Sequence, residues 1–368
     1  MRGALPDYPW DALAPYAAEA ARHPEGAVNL SVGSPVDPTP AGVRDALAAA
    51  TDAHAYPTAA GTPRLREAIA EWFQRRRGVT VAPEAVLPTV GSKELVALLP
   101  FLLGLGAGEA VVFPRIAYPS YAMGAALVGA DAIASDDPAE WPDHTRLVWV
   151  NSPSNPDGRV LDAERLRAAV ARARELGAVI AGDECYAEFG WDAPWDTARI
   201  PSVLDPAVVG EDHRGVLSVY SLSKQSNLAG YRAAFLAGDP ALVEQLLTVR
   251  KHAGLMLPAP VQAAMVVALE DETHVAEQRA LYRARREVLR PALEAAGYRI
   301  AGSEAGLYLW ATRDVDAWDS VAEFASLGIL VGPGHFYGDH SPQYVRLALT
   351  ASDADIATAA RRLVAARS

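Results

Sequence analysis

The chain has 368 residues, of which 51% are hydrophobic and 21% are charged. This composition is typical of a globular protein and excludes a disordered or fibrous chain. The 33 basic and 45 acidic residues give a net charge of −12, so the overall positive charge of a nucleic-acid-binding protein is absent. We therefore expect no nucleic-acid partner.

Uncharged stretches such as residues 95–108 are shorter than the roughly 18–20 apolar residues that a membrane-spanning helix needs. The N-terminus also lacks the apolar core of a signal peptide, so we expect a cytoplasmic protein without a membrane partner. A single cysteine, Cys185, excludes an intrachain disulfide and a cysteine-rich metal site. No metal site is predicted, because the spacing of His252, His335 and His340 does not suit metal ligands.

The first part of the chain, residues 1–40, is rich in proline and aromatic residues. It is predicted to form an N-terminal arm with one short helix near residues 11–22, and to join the small domain. Residues 41–250 are predicted to form a large domain in which helices and short apolar strands alternate. The predicted helices cover 64–77, 93–103 and 162–176, and the strands cover 110–113, 147–150, 178–181, 216–220 and 233–237. This alternation predicts an α/β fold with a mainly parallel central sheet and helices on both faces.

The pattern changes after residue 250. A long helical region over 261–296 is followed by a strand at 307–312, a helix at 315–327 and a strand at 344–350. Residues 251–368 are therefore predicted to form a smaller C-terminal α+β domain.

Three polar clusters directly follow apolar strands of the predicted sheet. Asn155 lies in the first cluster, Asp183 and Tyr186 lie in the second, and Lys224 lies in the third. Because ligands bind at the carboxyl ends of parallel strands, we expect these four side chains in one site.

The chemistry of these four side chains suits pyridoxal phosphate (PLP). Lys224 is one of only three lysines, and a lysine beside small hydroxyl residues can form a Schiff base with an aldehyde. An aspartate can keep a pyridine nitrogen protonated, and an asparagine with a tyrosine can hydrogen-bond a ring oxygen. A lysine and an acidic partner of the pyridine nitrogen are recognisable features of PLP sites.

The segment over residues 221–232, Ser-Leu-Ser-Lys-Gln-Ser-Asn-Leu-Ala-Gly-Tyr-Arg, resembles the signature of the class I/II aminotransferases, which have the fold type I PLP architecture. Further matches follow in the order of that family through nearly the whole chain: Val32-Gly33, residues 56–61, Gly91-Ser-Lys93, Tyr118-Pro-Ser-Tyr121, residues 155–158, Asp183-Glu-Cys-Tyr186 and Val345-Arg-Leu347. Eight matches in order are far more specific than any one of them.

The resemblance implies cofactor-binding and catalytic roles. Lys224 would carry the cofactor and shuttle the proton, Asp183 would pair with the pyridine nitrogen, and Asn155 and Tyr186 would hold the ring oxygen. Tyr118 would stack on the ring. The cofactor phosphate would be held by Ser92, the amide of Lys93, Ser221, Ser223 and Arg232.

The resemblance also implies substrate and subunit contacts. Arg346 would bind the substrate α-carboxylate bidentately, a geometry that suits arginine, with help from Asn155 and the backbone of Gly33. Tyr56 would reach the phosphate bound by a neighbouring subunit, which predicts a homodimer with its active sites at the subunit interface. The substrates would be an amino acid and a 2-oxo acid.

Residues 5–13, 26–38, 89–96 and 117–121 are similar to the succinyldiaminopimelate aminotransferases of high-GC Gram-positive bacteria. Those enzymes move an amino group from glutamate to a succinylated keto-pimelate on the route to diaminopimelate and lysine. At residues 115–116 this chain has Arg-Ile, whereas those enzymes have Glu-Leu at the corresponding positions. Lys93 is either a contact for the distal carboxylate of a long substrate or a solvated helix residue.

The alternative functions are those of an alanine, aspartate or aromatic aminotransferase, or of a PLP-dependent carbon–sulfur β-lyase that uses the same Lys224 and Asp183.

Overall fold

The computed structural model describes residues 7–366; the first six residues of the predicted arm and the last two of the chain lie outside this range. The helices are α1 (Ala14–Ala20), α2 (Ala41–Ala49), α3 (Pro63–Trp72), α4 (Ser92–Leu102), α5 (Ser120–Val128), α6 (Ala163–Glu175), α7 (Pro206–Val209), α8 (Leu222–Gln225), α9 (Pro240–Ala253), α10 (Ala259–Glu270), α11 (Thr273–Ala295), α12 (Ala317–Ser326) and α13 (Asp353–Ala365). The strands are β1 (Val28–Asn29), β2 (Val86–Val90), β3 (Ala110–Phe113), β4 (Asp131–Ala134), β5 (Thr145–Asn151), β6 (Val179–Asp183), β7 (Val216–Ser221), β8 (Ala233–Gly238), β9 (Arg299–Ile300), β10 (Tyr308–Thr312), β11 (Ile329–Leu330), β12 (Gly332–Pro333) and β13 (Tyr344–Ala348).

A seven-stranded sheet with the order β2-β8-β7-β6-β5-β3-β4 forms the centre of the molecule. The five strands from β7 to β4 are parallel, and β8 is antiparallel to both β7 and β2. Strands that are buried on both faces have continuous apolar sequences. For this reason apolar and polar residues do not alternate in the central strands. The predicted α/β fold with a mainly parallel sheet is confirmed.

Alternate residues of the central strands enter two apolar layers. On one face Val148 and Val150 of β5 pack into the layer that contains Leu65 of α3 and Leu166 of α6. On the other face Trp149 packs into the layer that contains residues of α4 and α5. Burial on both faces fixes the strands, and therefore fixes the positions of the loops at their carboxyl ends.

A four-stranded antiparallel sheet, ordered β12-β13-β10-β9, lies in the C-terminal part of the chain. Strand β1 pairs in parallel with β11 through Val28–Ile329 and Asn29–Leu330, so these two parts of the chain are joined by backbone hydrogen bonds. The division of the chain into an arm, a large domain and a small domain remains a prediction.

The helical region predicted over residues 261–296 is two helices, α10 and α11. Asp271 ends α10 in an extended backbone conformation, and its carboxylate accepts a hydrogen bond from the amide of Thr273 at 2.8 Å. A side chain that satisfies the free amides at a helix start favours a new helix there. None of the helices in the described part of the chain is long and apolar enough to cross a membrane.

Candidate active site

The polar clusters after β5, β6 and β7 meet at one edge of the seven-stranded sheet. Asn151 at the end of β5 lies opposite Asp183 at the end of β6, and β7 ends beside them at Ser221. A cavity of about 490 Å³ opens at this edge. It is lined by all but one of the predicted site residues, namely Gly33, Ser92, Lys93, Tyr118, Asn155, Asp183, Tyr186, Ser221, Ser223, Lys224, Arg232 and Arg346.

The remaining predicted residue, Tyr56, does not line the cavity. Its side chain is 98% exposed, an unusual environment for a large aromatic residue. Nothing within the described part of a single chain accounts for its position.

Lys224 extends from the short helix α8 into the cavity. The hydroxyl of Ser221 accepts a hydrogen bond from the amide of Ser223 at 3.2 Å and so caps this helix. The ammonium of Lys224 contacts the backbone oxygen of Gly33. Burial lowers the pKa of Lys224, and the nearby cations Arg346 and Arg232 also lower it. A lysine with a lowered pKa is a better nucleophile, because more of it is the neutral amine.

Asp183 is a buried carboxylate held only by neutral donors. Its Oδ2 accepts a hydrogen bond from the hydroxyl of Tyr121 at 2.9 Å, and its Oδ1 accepts one from the amide of Cys185 at 3.3 Å. Burial raises the pKa of Asp183, and the hydrogen bonds from Cys185 and Tyr121 oppose that rise only in part. A buried charge without an ionic partner is costly, so a cation such as a protonated pyridine nitrogen fits beside it.

The turn before α4 has the features of an anion site. Gly91 precedes the helix with a φ of +79°, and a Cβ placed on it would lie 2.0 Å from Nη2 of Arg232. The guanidinium of Arg232 therefore occupies space that only glycine leaves open. Helix N-termini and arginine side chains both favour phosphate, and the hydroxyls of Ser221 and Ser223, which are 2.8 Å apart, complete a polar cradle.

Arg346 of β13 is 2% exposed and has no carboxylate partner among residues 7–366. Its Nη1 donates a hydrogen bond to Oδ1 of Asn155 at 2.8 Å, its Nη2 donates to the backbone oxygen of Ser31 at 2.7 Å, and its Nε has no partner. A buried guanidinium without a counter-ion is well suited to a carboxylate ligand.

The sequence did not single out three aromatic residues that also line the cavity: Tyr8, Trp10 and Tyr308. The hydroxyl of Tyr308 lies 3.1 Å from that of Tyr186. The ammonium of Lys93 lies 5.3 Å from the ring centre of Tyr8. The sequence carries no signal for Tyr308 as a site residue, because its closeness to Arg346 depends on the pairing of Trp310 with Arg346 in two strands that are far apart in the chain.

The family model for class I and II aminotransferases matches residues 25–363. Among curated proteins, the transaminase OxyQ of Streptomyces rimosus, which acts on 4-dedimethylamino-4-oxo-anhydrotetracycline, is 58% identical over 98% of this chain and 99% of its own length. A probable aminotransferase of Mycobacterium tuberculosis is 52% identical over 99% of this chain and 86% of its own. Among solved structures, the N-succinyldiaminopimelate aminotransferase of M. tuberculosis has a TM-score of 0.86 at 26% identity, with 99% and 97% of the two chains covered.

Proposed function

Because this chain belongs to the class I and II aminotransferases, we propose that it transfers the amino group of glutamate to N-succinyl-2-amino-6-ketopimelate. This family is PLP-dependent, so the predicted aminotransferase activity and the predicted cofactor are confirmed. Besides Lys224 and Arg232, which we assign to the cofactor, two cations line the cavity without a carboxylate partner among the described residues: Arg346 and Lys93. This observation carries the substrate proposal. A substrate with a carboxylate at each end would satisfy both.

Bound PLP would supply an electron sink that makes the Cα–H of an amino acid acidic. The described residues fit this cofactor, with Asp183 for its ring nitrogen, Asn155 and Tyr186 for its ring oxygen, and the cradle at Arg232 for its phosphate. Arg346 would orient the substrate by its α-carboxylate. The amine of Lys224, whose pKa burial lowers, would take the proton from the substrate Cα and deliver it to the cofactor carbon.

Lys93 is the group that we propose for the distal carboxylate. Its ammonium lies between the rings of Tyr8 and Tyr118, at 5.3 Å and 5.9 Å from their centres. Within the described residues it forms no ion pair. Aromatic faces attract a cation without neutralising it, so the charge stays available for a ligand.

A second candidate function is amino transfer to a fused-ring ketone. It is favoured by the 58% identity to OxyQ, whose substrate is a 4-oxo-anhydrotetracycline. The aromatic lining formed by Tyr8, Trp10, Tyr118 and Tyr308 is compatible with a flat ring system.

The experiment that separates these functions measures kcat/KM with glutamate as donor and a panel of acceptors. The panel contains the succinylated keto-pimelate, pyruvate, oxaloacetate, phenylpyruvate and 4-dedimethylamino-4-oxo-anhydrotetracycline. We expect the succinylated acceptor to give the highest value. A higher value for the tetracycline would replace the proposal by the second candidate, and pyruvate release from cystathionine without an acceptor would establish a β-lyase.

We also propose that the active unit is a homodimer in which Tyr56 completes the partner's phosphate site. Its 98% exposure supports this, because the side chain is free to contact a second copy. Mixing the Lys224→Ala and Tyr56→Ala variants tests it. Half of the dimers would be hybrids with one intact site each, so activity should return to about a quarter of the wild-type value. No gain on mixing, or an active monomer in sedimentation, would contradict the dimer.

A cytoplasmic location is also part of the proposal. Cys185 is buried and free, and free cysteines are typical of proteins in reducing compartments. Fractionation of the producing cells with an antibody against the chain tests the location, and recovery in the culture medium would contradict it.

A further inference from the structure

We propose that Tyr308 positions two parts of the active site at once: its ring supports the guanidinium of Arg346, and its hydroxyl directs the hydroxyl of Tyr186. The inference rests on the proposed roles of these two partners, Arg346 for the substrate carboxylate and Tyr186 for the cofactor ring oxygen. Tyr308 itself is a positioning residue.

The ring of Tyr308 is a close aromatic neighbour of Arg346. Strand pairing places Trp310 of β10 opposite Arg346 of β13, so Tyr308, two residues before Trp310, lies on the same face as a diagonal neighbour. The guanidinium carbon is 3.9 Å from the ring centre of Tyr308, against 5.1 Å for Tyr337. A desolvated guanidinium at this distance is held both by the ring quadrupole and by planar stacking.

The hydroxyl of Tyr308 occupies a closed space between the chain near Gly33 and Tyr186. It lies 3.1 Å from the hydroxyl of Tyr186. A Cβ on Gly33 would lie 2.1 Å from the same oxygen, so the glycine backbone packs directly against it. The hydroxyl therefore cannot turn away from Tyr186 without moving the ring from Arg346.

The proposed contact of Tyr186 with the cofactor ring oxygen decides which of the two phenols donates, because that oxygen is an acceptor. Burial raises the pKa of Tyr308, but the charges of Arg346 and Lys224 and the hydrogen bond with Tyr186 lower it, and the net shift is downward. Burial raises the pKa of Tyr186 well above its ordinary value. Because Tyr186 needs its single proton for the ring oxygen, Tyr308 donates to the oxygen of Tyr186 across the 3.1 Å between them; the downward shift of the pKa of Tyr308 agrees with this role. The proton of Tyr186 is then free to point towards the cofactor ring oxygen.

The test compares Tyr308→Phe, Tyr308→Leu and the control Tyr337→Phe in the PLP-loaded enzyme, using two readouts that need no turnover. The first is the dissociation constant of maleate, a dicarboxylate that cannot react. The second is the pH midpoint of the visible absorbance of the lysine-bound cofactor. Tyr337 is a matched control because its ring also faces Arg346, its hydroxyl has no partner, and it lies outside the cavity lining.

We expect Tyr308→Phe to bind maleate almost as the wild type does and to shift the absorbance midpoint to higher pH. Without the donor, Tyr186 hydrogen-bonds the ring oxygen less strongly. The ring oxygen then carries more negative charge, and this charge stabilises the proton on the nearby nitrogen of Lys224. Tyr308→Leu should also weaken maleate binding by about tenfold, because the guanidinium loses its support. Tyr337→Phe should change neither quantity.

An unshifted midpoint in Tyr308→Phe, or unchanged maleate binding in Tyr308→Leu, would overturn the inference. The Phe variant keeps the ring and its packing, so it carries the test alone if the Leu variant does not fold. Arg346→Gln separates this failure from failure of the proposed function. If Arg346→Gln binds maleate as tightly as the wild type, the carboxylate role of Arg346 is wrong; if it loses maleate but Tyr308→Leu does not, only the role of Tyr308 is wrong.

Discussion

Nη1 of Arg346 donates a hydrogen bond to Oδ1 of Asn155 across 2.8 Å. This bond joins β13 of the four-stranded sheet to the loop after β5 of the seven-stranded sheet. The backbone amide of Asn155 donates to Oδ1 of Asn151 at 2.8 Å. Nδ2 of Asn151 donates in turn to the backbone oxygen of Asp183 at 2.9 Å. One chain of hydrogen bonds therefore links the proposed carboxylate site to the residue proposed for the cofactor nitrogen.

Replacing Asn155 by aspartate should harm carboxylate binding more than replacing it by alanine. Asn155→Asp places a carboxylate next to Arg346, where it competes with the α-carboxylate of the substrate. Both variants lose the proposed contact to the cofactor ring oxygen, so their comparison isolates the charge. In the aspartate variant the substrate loses a charge-assisted hydrogen bond to Arg346, which contributes about 1.5–3 kcal/mol. We therefore expect its KM for glutamate to be at least about tenfold higher than that of the alanine variant. Equal KM values would show that Arg346 does not bind that carboxylate.

Replacing Asp183 by asparagine should stabilise the PLP-free protein at neutral pH and abolish transamination. The folded-state pKa of Asp183 lies above the ordinary value of 3.8 because the carboxyl is buried. Its contribution to stability is therefore complete below pH 3.8 and is lost as the pH rises through the folded-state pKa. Asparagine avoids this loss, so we expect a free energy of unfolding about 1 kcal/mol higher at pH 7.

Urea titrations of the PLP-free protein at several pH values would measure this difference between Asp183→Asn and the wild type. The difference should shrink as the pH falls through the folded-state pKa, because the wild-type carboxyl then becomes protonated. Asp45→Asn, a change at an exposed position of α2, serves as the control and should show no such dependence. A wild type that is more stable than Asp183→Asn at pH 7 would contradict the buried, unpaired carboxylate.

The sequence predicted the central residues of the site because they depend on a general property of parallel sheets. Asn155, Asp183 and Lys224 follow three strands whose carboxyl ends meet at one edge, so no contact had to be known in advance. Tyr308 escaped notice because its closeness to Arg346 depends on the register of β10 with β13. Register is set by packing on both faces of the strands and by turns, and neither can be read from two isolated segments.

Strand β2 was also missed, for a local reason. Its sequence, Val-Leu-Pro-Thr-Val, contains Pro88, which cannot donate a ladder hydrogen bond. Among the strands of residues 7–366, β2 lies at the edge of the sheet and pairs with β8 alone. A proline is tolerated at such an edge, so its presence indicated an edge strand and not the absence of a strand.

Lys93→Met should discriminate between acceptors by their distal charge. The side chain is proposed to bind a distal carboxylate, whereas its backbone amide serves the phosphate and is retained. We expect kcat/KM for the succinylated keto-pimelate to fall by about tenfold or more, and the value for pyruvate, which has no distal carboxylate, to stay unchanged. Lys251→Met, at an exposed position of α9, is the matched control. A uniform loss for both acceptors would place Lys93 outside substrate recognition.

Gly91→Ala should weaken PLP binding through a steric effect on Arg232. The added Cβ would lie 2.0 Å from Nη2 of Arg232, so the guanidinium must leave the phosphate cradle. Gly210→Ala is the control: Gly210 has a φ of +70° and a ψ of −137°, so like Gly91 it lies outside the left-handed helical region, but a Cβ added there would meet no atom within 4 Å. Both backbones are unfavourable for alanine, and only Gly91→Ala adds a steric clash.

Fluorescence titration of the PLP-free proteins should give a dissociation constant for PLP at least about tenfold higher for Gly91→Ala than for Gly210→Ala, because a charge-assisted phosphate contact is lost. Equal constants would mean that Arg232 does not hold the phosphate in the position that the structure indicates.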